Sequence, residues 1–358
     1  MTTITPPSEQ TPLPLEYHAH RQTKDWVSIL SALGPFIGLV FVIILFSSLR
    51  YDTFFRISNF ELIFRQTAVV GTGALGMTLI IIAGGIDLSV GSAIALVTVS
   101  IGLFLPHNIS DPDTGERSVT HGVSAWLAAL GGIGVGTLCG VMTGTLVTRL
   151  KLIPFIITLG MMSILRGLAQ RLASNSMVYP NAEQTEQTFL AKLLQPLSPE
   201  HLWLLTPGVW LMLVLAILVA AMLRYTRFGR HIFAIGSNEQ TARLCGVPIE
   251  RTKLFVYMLG AALAAVAGVL QFSYLGMGDP TTANGMELDI IAAVVIGGAS
   301  LNGGQGTITG SLIGALIMSV VSNGCNKMGL ENNVQLIVTG SIIILAVALD
   351  RLRHRRAT

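Results

Sequence analysis

The chain has 358 residues, of which 51% are hydrophobic and 11% charged, with 38 glycines and a mean hydropathy of +0.67. Water-soluble domains carry about a quarter charged residues, so this composition excludes a disordered chain, a basic nucleic-acid binder and a disulfide scaffold. The formal net charge of +3 is small, and Cys139, Cys245 and Cys325 are too few and too scattered for a disulfide framework or a metal cage. What remains is an all-α polytopic membrane protein, with the cysteines read as small packing residues.

Residues 1–25, rich in Pro, Thr and Glu, lack the apolar core of a cleavable signal peptide and are expected to form a mobile cytoplasmic tail. Apolar stretches near the roughly 20 residues a helix needs to cross a bilayer come next. They lie at about 26–48, 66–84, 88–105, 123–148, 153–173, 203–223, 254–275, 287–300, 306–325 and 333–350. They predict about ten helices in one transmembrane domain, 26–350, since a helix satisfies its own backbone in lipid. The stretch at 287–300 is too short to cross alone unless it extends into the glycines after it.

The basic residues sort by side. With the N-terminus inside, fourteen of the 22 Lys and Arg are cytoplasmic, six lie opposite, and Arg166 and Arg171 fall within a span. This bias places both termini in the cytoplasm, the last eight residues, 351–358, forming a basic tail. Two outer loops, about 106–122 and 174–202, carry Asp111, Asp113, Glu116, Glu183, Glu186 and Glu200. The inner loop 224–253 is basic, about thirty residues long, and can hold a helix. It is either a contact for a cytosolic partner or a solvated connection that sets topology.

Small residues recur every fourth position: Gly132, Gly136, Gly140 and Gly144; Gly260, Ala264 and Gly268; Gly306, Gly310 and Gly314. In lipid, where helices gain nothing from hydrophobic association, such ridges let backbones approach and predict a tight bundle. The chemistry of an enzyme is missing from the pattern. The nearest approach to a nucleotide loop, starting at Gly71, has Met77 where a P-loop requires Lys. There is no HExxH and no GxSxG, and the seven histidines fall in tails and loops, so no cofactor and no metal site are expected.

Two segments break their helices: Ala83-Gly-Gly-Ile-Asp-Leu-Ser-Val-Gly-Ser92 and Ile296-Gly-Gly-Ala-Ser-Leu-Asn-Gly-Gly-Gln-Gly306. Glycines permit the turn, and Asp87 or Ser89 can cap the helix that follows. Irregular backbone at membrane depth is tolerated where it is buried in protein or lines a cavity, so the segments are either parts of a substrate path or capped turns. Their likeness suggests two related halves. Arg166, deep in its span, is expected to pair with a carboxylate or carbonyl, direct substrate contact being the other reading, while Arg171 snorkels outward. Glu287 and Asp289, at the outer opening of the eighth span, are functional candidates as ionisable residues or simply favour a helix N-terminus.

These segments carry a resemblance. GMTLIIIAGGIDLSVGS (76–92), LIPFIITLGMMSILRGLA (152–169), AIGSNEQTARLCGVPIERTKLFVY (234–257) and GMELDIIAAVVIGGASLNGGQGTITGSLIGALIM (285–318) closely resemble the ribose-type permease subunits of bacterial ABC sugar importers. The likeness runs in the same order over about 26–350. Thr241, Cys245, Val247 and Thr143 depart from the usual pattern, and the outer loops are longer than usual.

The resemblance implies half of a homodimeric channel in the bacterial inner membrane. It would receive a monosaccharide from a periplasmic binding protein and be driven by a cytosolic ATPase, with no nucleic acid involved. It also implies that Arg230, Gly236, Asn238, Ala242 and Gly246 belong to the segment coupled to the ATPase, with Gly246 ending a short helix by a left-handed cap. The expected substrate path runs near Asp87, Ser89 and Asn302, with Arg166 as a further candidate. The rival readings are an ABC permease for nucleosides or branched-chain amino acids, and an ion-coupled secondary transporter acting alone.

Overall fold

In a computed structural model the described residues are 26–110, 117–181, 189–194 and 205–355. The tail at 1–25, the acidic residues named in the two outer loops and residues 356–358 lie outside them. The chain divides into two compact units, Met1–Gly34 and Pro35–Thr358. In the first, the described residues are the opening turns of α1; the second holds the elements that follow.

The helices are α1 Trp26–Leu49, α2 Tyr51–Phe54, α3 Ile57–Ile82, α4 Val90–Phe104, α5 Ala125–Leu150, α6 Pro154–Leu172 and α7 Phe189–Lys192. After these come α8 Pro207–Tyr225, α9 Arg227–Ser237, α10 Glu239–Leu244, α11 Ile249–Leu275, α12 Met286–Ile296, α13 Ile308–Lys327 and α14 Asn332–Arg355. Each of the ten expected spans falls on a helix. Among the described residues six helices, α3, α5, α6, α8, α11 and α13, are long and apolar enough to cross a bilayer. At 1.5 Å per residue, the 11 residues of α12 reach only about 16 Å, half a bilayer core.

Two features depart from the apolar pattern for physical reasons. Helix α3 begins at Ile57, ahead of its apolar stretch, because Glu61 and Arg65 pair one turn apart and neutralise each other in its polar first turns. The loop at 106–122 holds a ribbon, β1 Asn108–Ser110 antiparallel to β2 Arg117–Val119, with Ile109 opposite Ser118.

Helix α3 is the hub. From Thr67 to Ile82 every residue is buried, against α8, α11, α12 and α13. The ridge on α5 packs as expected: a Cβ on Gly136 or Gly140 would stand 2.5 or 2.4 Å from the Cβ of Ala265 or Ala261 on α11. Gly76 and Gly260 bring the backbones of α3 and α11 together. The third ridge is shorter than its spacing suggests. Gly306 precedes α13, because Thr307 is its N-cap and accepts a hydrogen bond from Gly310 N at 3.1 Å. Gly310 and Gly314 do pack closely, against the carbonyls of Gly297 and Ala293. Outward-facing Leu130, Leu138, Ile156 and Ile217 leave an apolar surface suited to lipid.

Candidate functional site

The two glycine turns have the same backbone construction. At the end of α3, Gly84 sits at φ +79°; its N–H bonds Ile81 O at 2.9 Å and the N–H of Gly85 bonds Ile80 O at 2.9 Å. At the end of α12, Gly298 sits at φ +94°; its N–H bonds Val295 O at 2.9 Å and that of Ala299 bonds Val294 O at 3.1 Å. Both are Schellman caps, in which a left-handed residue ends the helix and satisfies two final carbonyls.

After the first cap the chain turns inward. Asp87 and Ser89 are 3% and 4% exposed, and both the N–H and the hydroxyl of Ser89 donate to Asp87 Oδ1, at 2.8 and 2.6 Å. Capping is therefore shared differently from the expectation: Ser89 occupies the N-cap of α4 without a side-chain cap bond, its hydroxyl being committed to Asp87. Burial pushes the Asp87 carboxyl above its ordinary range, and the two bonds from Ser89 pull it partly back. A Cβ on Gly85 would stand only 2.6 Å from the hydroxyl of Tyr257. Asn302, after the second cap, is exposed, and its N–H bonds Ser300 Oγ at 3.3 Å.

The turns meet. The N–H of Gly304 donates to Ile82 O at 2.9 Å, joining residues more than two hundred positions apart in the chain. A Cβ on Gly303 would stand 3.0 Å from Gly84 Cα and 2.8 Å from Gly236 O. Gly236 belongs to α9, so the inner loop lies directly on the joined turns. A Cβ there would stand 1.7 Å from Ile82 O and 2.5 Å from Gly304 N.

The inner loop contains two helices where one was expected. Thr226 caps α9 by accepting from Gly229 N at 3.1 Å, and Asn238 caps α10 by accepting from Thr241 N at 2.8 Å. Gly246, at φ +80°, ends α10 as a Schellman cap: its N–H bonds Arg243 O and that of Val247 bonds Ala242 O, both at 3.0 Å. Ala242 is a packing residue, buried with Ile235 and Ile249. Arg230 is exposed. Lys253 pairs with Glu239 at 2.6 Å and Arg243 with Glu250 at 2.9 Å, tying α10 to the start of α11. Leu244, at the tip, is 89% exposed.

Arg166 stands apart from Asp87, Ser89 and Asn302 and opens onto a feature that sequence reasoning missed. Between α11 and α12, residues 276–285 form a third irregular segment. It pairs with Val178 through Gly278, in bonds of 2.8 and 2.9 Å, and packs its Gly278 backbone against Thr98 and Val99 in the middle of α4. Arg166 holds it by donating to Pro280 O at 2.9 Å and Thr282 O at 2.7 Å, the carbonyl pairing expected of it. Gln271 Nε2 adds a bond to Thr282 Oγ1 at 2.9 Å. The signal was the run Gly276-Met-Gly-Asp-Pro-Thr-Thr-Ala-Asn-Gly285, ten residues dense in Gly, Pro, Asp and Asn between two apolar helices. Such irregular backbone inside the bundle has to be satisfied by protein groups, as it is here.

Comparisons with known proteins agree over nearly the whole chain. Residues 59–347 match the family described as branched-chain amino acid transport system / permease component. The ribose import permease protein of Escherichia coli strain K12 is 39% identical, over 92% of this chain and 95% of its own. That of Bacillus subtilis strain 168 is 36% identical over 90% and 94%, and the fructose import permease protein of Rhizobium meliloti is 36% identical over 89% and 85%. No solved structure matches the chain. A glycine-packed helical bundle, a polar arm seated on two helix breaks and these end-to-end matches lead to one conclusion: the chain belongs to this permease family, as a ribose-type permease subunit of an ABC importer.

Proposed function

We propose that this chain is the permease subunit of an importer that moves a monosaccharide across the bacterial inner membrane by alternating access, driven by a separate ATPase. The observation that carries the reading is the end-to-end match to permeases named for ribose and fructose. The family description names branched-chain amino acids, but the three relatives described above carry sugar names and cover the chain almost completely. ATP hydrolysis takes place on the partner, a cytosolic ATPase, and a periplasmic binding protein delivers the sugar. Two copies of the chain flank the path.

In this reading the N- and C-termini, the two glycine turns and α9–α10 face the cytoplasm. The long basic loop 224–253 and the fourteen-to-six distribution of Lys and Arg support that orientation. The ATPase docks on α10, whose exposed Leu244 and capped ends present a short rigid knob, and α9 carries the movement to the turns through Gly236. Arg230 contributes charge to the docking face, Asn238 and Gly246 keep α10 folded, and Ala242 fastens it to α9 and α11. Asp87, with Ser89, shapes the turn at the inner mouth of the path, and Asn302 lies at the same mouth; Arg166 holds the irregular segment further along the path, away from the glycine turns.

The test is uptake in proteoliposomes containing this chain, its ATPase and a candidate binding protein, with a panel of radiolabelled pentoses and hexoses. ATP-dependent uptake of a sugar that also requires the binding protein is expected. Uptake by this chain alone, indifferent to ATP, would replace the reading with a secondary transporter.

A further inference from the structure

A cleft of about 160 Å³ lies among α3, α11, α12 and α13, in the half of the bundle away from the glycine turns. A cavity of about 150 Å³ admits one six-membered ring. Its polar lining comprises Gln66, Gln271, Asp289, Ser319 and Ser322, with Tyr274 at its rim, 41% exposed. Hydroxyls inside these helices usually donate back to the carbonyl four residues earlier, as Thr67, Thr72 and Thr78 of α3 do at 2.8, 2.7 and 2.6 Å. Ser319 departs from that habit. It is 2% exposed, and its Oγ has no hydrogen-bond partner among the described residues; the same holds for Gln66 Oε1. Buried polar atoms are almost always paired, so two unpaired ones lining one cleft point to a polar occupant.

The lining also defines that occupant's chemistry. Serine hydroxyls both donate and accept, the Gln66 amide oxygen accepts, and the Asp289 carboxylate accepts from two hydroxyls at once. The Tyr274 ring gives an apolar face for the C–H side of a sugar ring. Among the described residues no Lys or Arg lines the cleft. An amino-acid cargo would therefore present its carboxylate to Asp289 with no cation to receive it, whereas a neutral polyol meets only groups it can bond. Gln271 links the cleft to the irregular segment through Thr282, whose carbonyl Arg166 holds.

We propose that this cleft is a sugar-hydroxyl station on the transport path, with Ser319 and Asp289 as its principal contacts. The proposal rests on the monosaccharide reading above and adds where the sugar pauses within one subunit.

The experiment uses the assembled transporter in proteoliposomes with the same sugar panel, comparing Ser319→Ala, Asp289→Asn and Asp289→Leu. Sugar moved per ATP hydrolysed is expected to fall severalfold in Ser319→Ala and about tenfold in Asp289→Leu, the scale of losing one neutral and one charge-assisted hydrogen bond. Asp289→Asn, which still accepts a hydroxyl, retains most of the transport. Binding-protein-stimulated ATP hydrolysis persists in all three. A second measurement does not depend on those variants folding. Ser322→Cys in a Cys245→Ser background is modified with a water-soluble thiol reagent, and a saturating transported sugar is expected to slow modification at least threefold. Wild-type transport per ATP in all three variants, or modification indifferent to a sugar the vesicles transport, overturns the station and leaves the importer reading standing. Wild-type vesicles that take up no sugar with ATP overturn both.

Discussion

Replacing Gly236 by alanine puts the coupling scheme at greatest risk. The added Cβ would lie 1.7 Å from Ile82 O, when ordinary contact begins at 3.4 Å, and 2.5 Å from Gly304 N. Both obstacles are backbone atoms, so no rotamer relieves the clash, and they are themselves bonded to each other at 2.9 Å. Relief requires either moving α9 away or pulling the two turns apart. Overpacking of this kind costs about 1–3 kcal/mol, and the second route also loses the buried Gly304–Ile82 bond, about 1–3 kcal/mol more. Even the lower end, about 1 kcal/mol, reduces the seated population about fivefold. Ile232, Ile235 and Ala242 anchor the arm elsewhere, so it should shift rather than unfold. The expected result is a subunit that inserts and assembles, with uptake lost and ATP hydrolysis no longer responsive to the binding protein. Gly134→Ala, where a Cβ meets nothing within 4 Å, controls for expression and insertion. Uptake and stimulated hydrolysis in Gly236→Ala equal to those of the unmodified chain would refute the reasoning.

Three further predictions follow from the same geometry. Gly314→Ala forces a Cβ to 1.8 Å from Ala293 O and should lower the detergent melting temperature by several degrees, whereas Gly160→Ala, with open space, should leave it unchanged. Arg166→Met removes the donor to Pro280 O and Thr282 O, so hydrogen exchange across 276–285 should accelerate by about tenfold or more, with Arg166→Lys intermediate because one of the two carbonyls can still be reached. Asn238→Ala removes the α10 cap at a cost of about 1 kcal/mol, and Leu244→Ser removes an 89% exposed apolar tip; both should weaken co-purification of the ATPase without changing the melting temperature of the bundle.

The helices were legible because lipid imposes one rule on the backbone, and the apolar runs obey it in chain order. The same holds for the ridge on α5, whose four-residue spacing repeats on the surface it presents to α11. What escaped were features that depend on tertiary partners. Whether Ser89 capped α4 with its own hydroxyl or surrendered it to Asp87 is a choice between two bonds that one sequence allows equally. Gly306 kept the ridge's spacing but fell outside α13, since the next residue, Thr307, is a better cap. The segment 276–285 read as a connection because nothing local distinguishes a polar loop in water from one folded back into the bundle. The guanidinium that holds it lies more than a hundred residues away. Gly236 looked like one more motif glycine until the turns against which it packs were brought together.

The contact of Gly84, Gly236 and Gly303 is made almost wholly of main chain. Surfaces without side chains have no rotamers to adjust, so they cannot absorb a displacement by repacking. A push on α9 would bear directly on both the end of α3 and the loop after α12. Two helix pairs far apart in sequence would thus be driven together, without a chain of intermediate residues between them. Such a joint is indifferent to which residues surround it but unforgiving of any atom placed inside it.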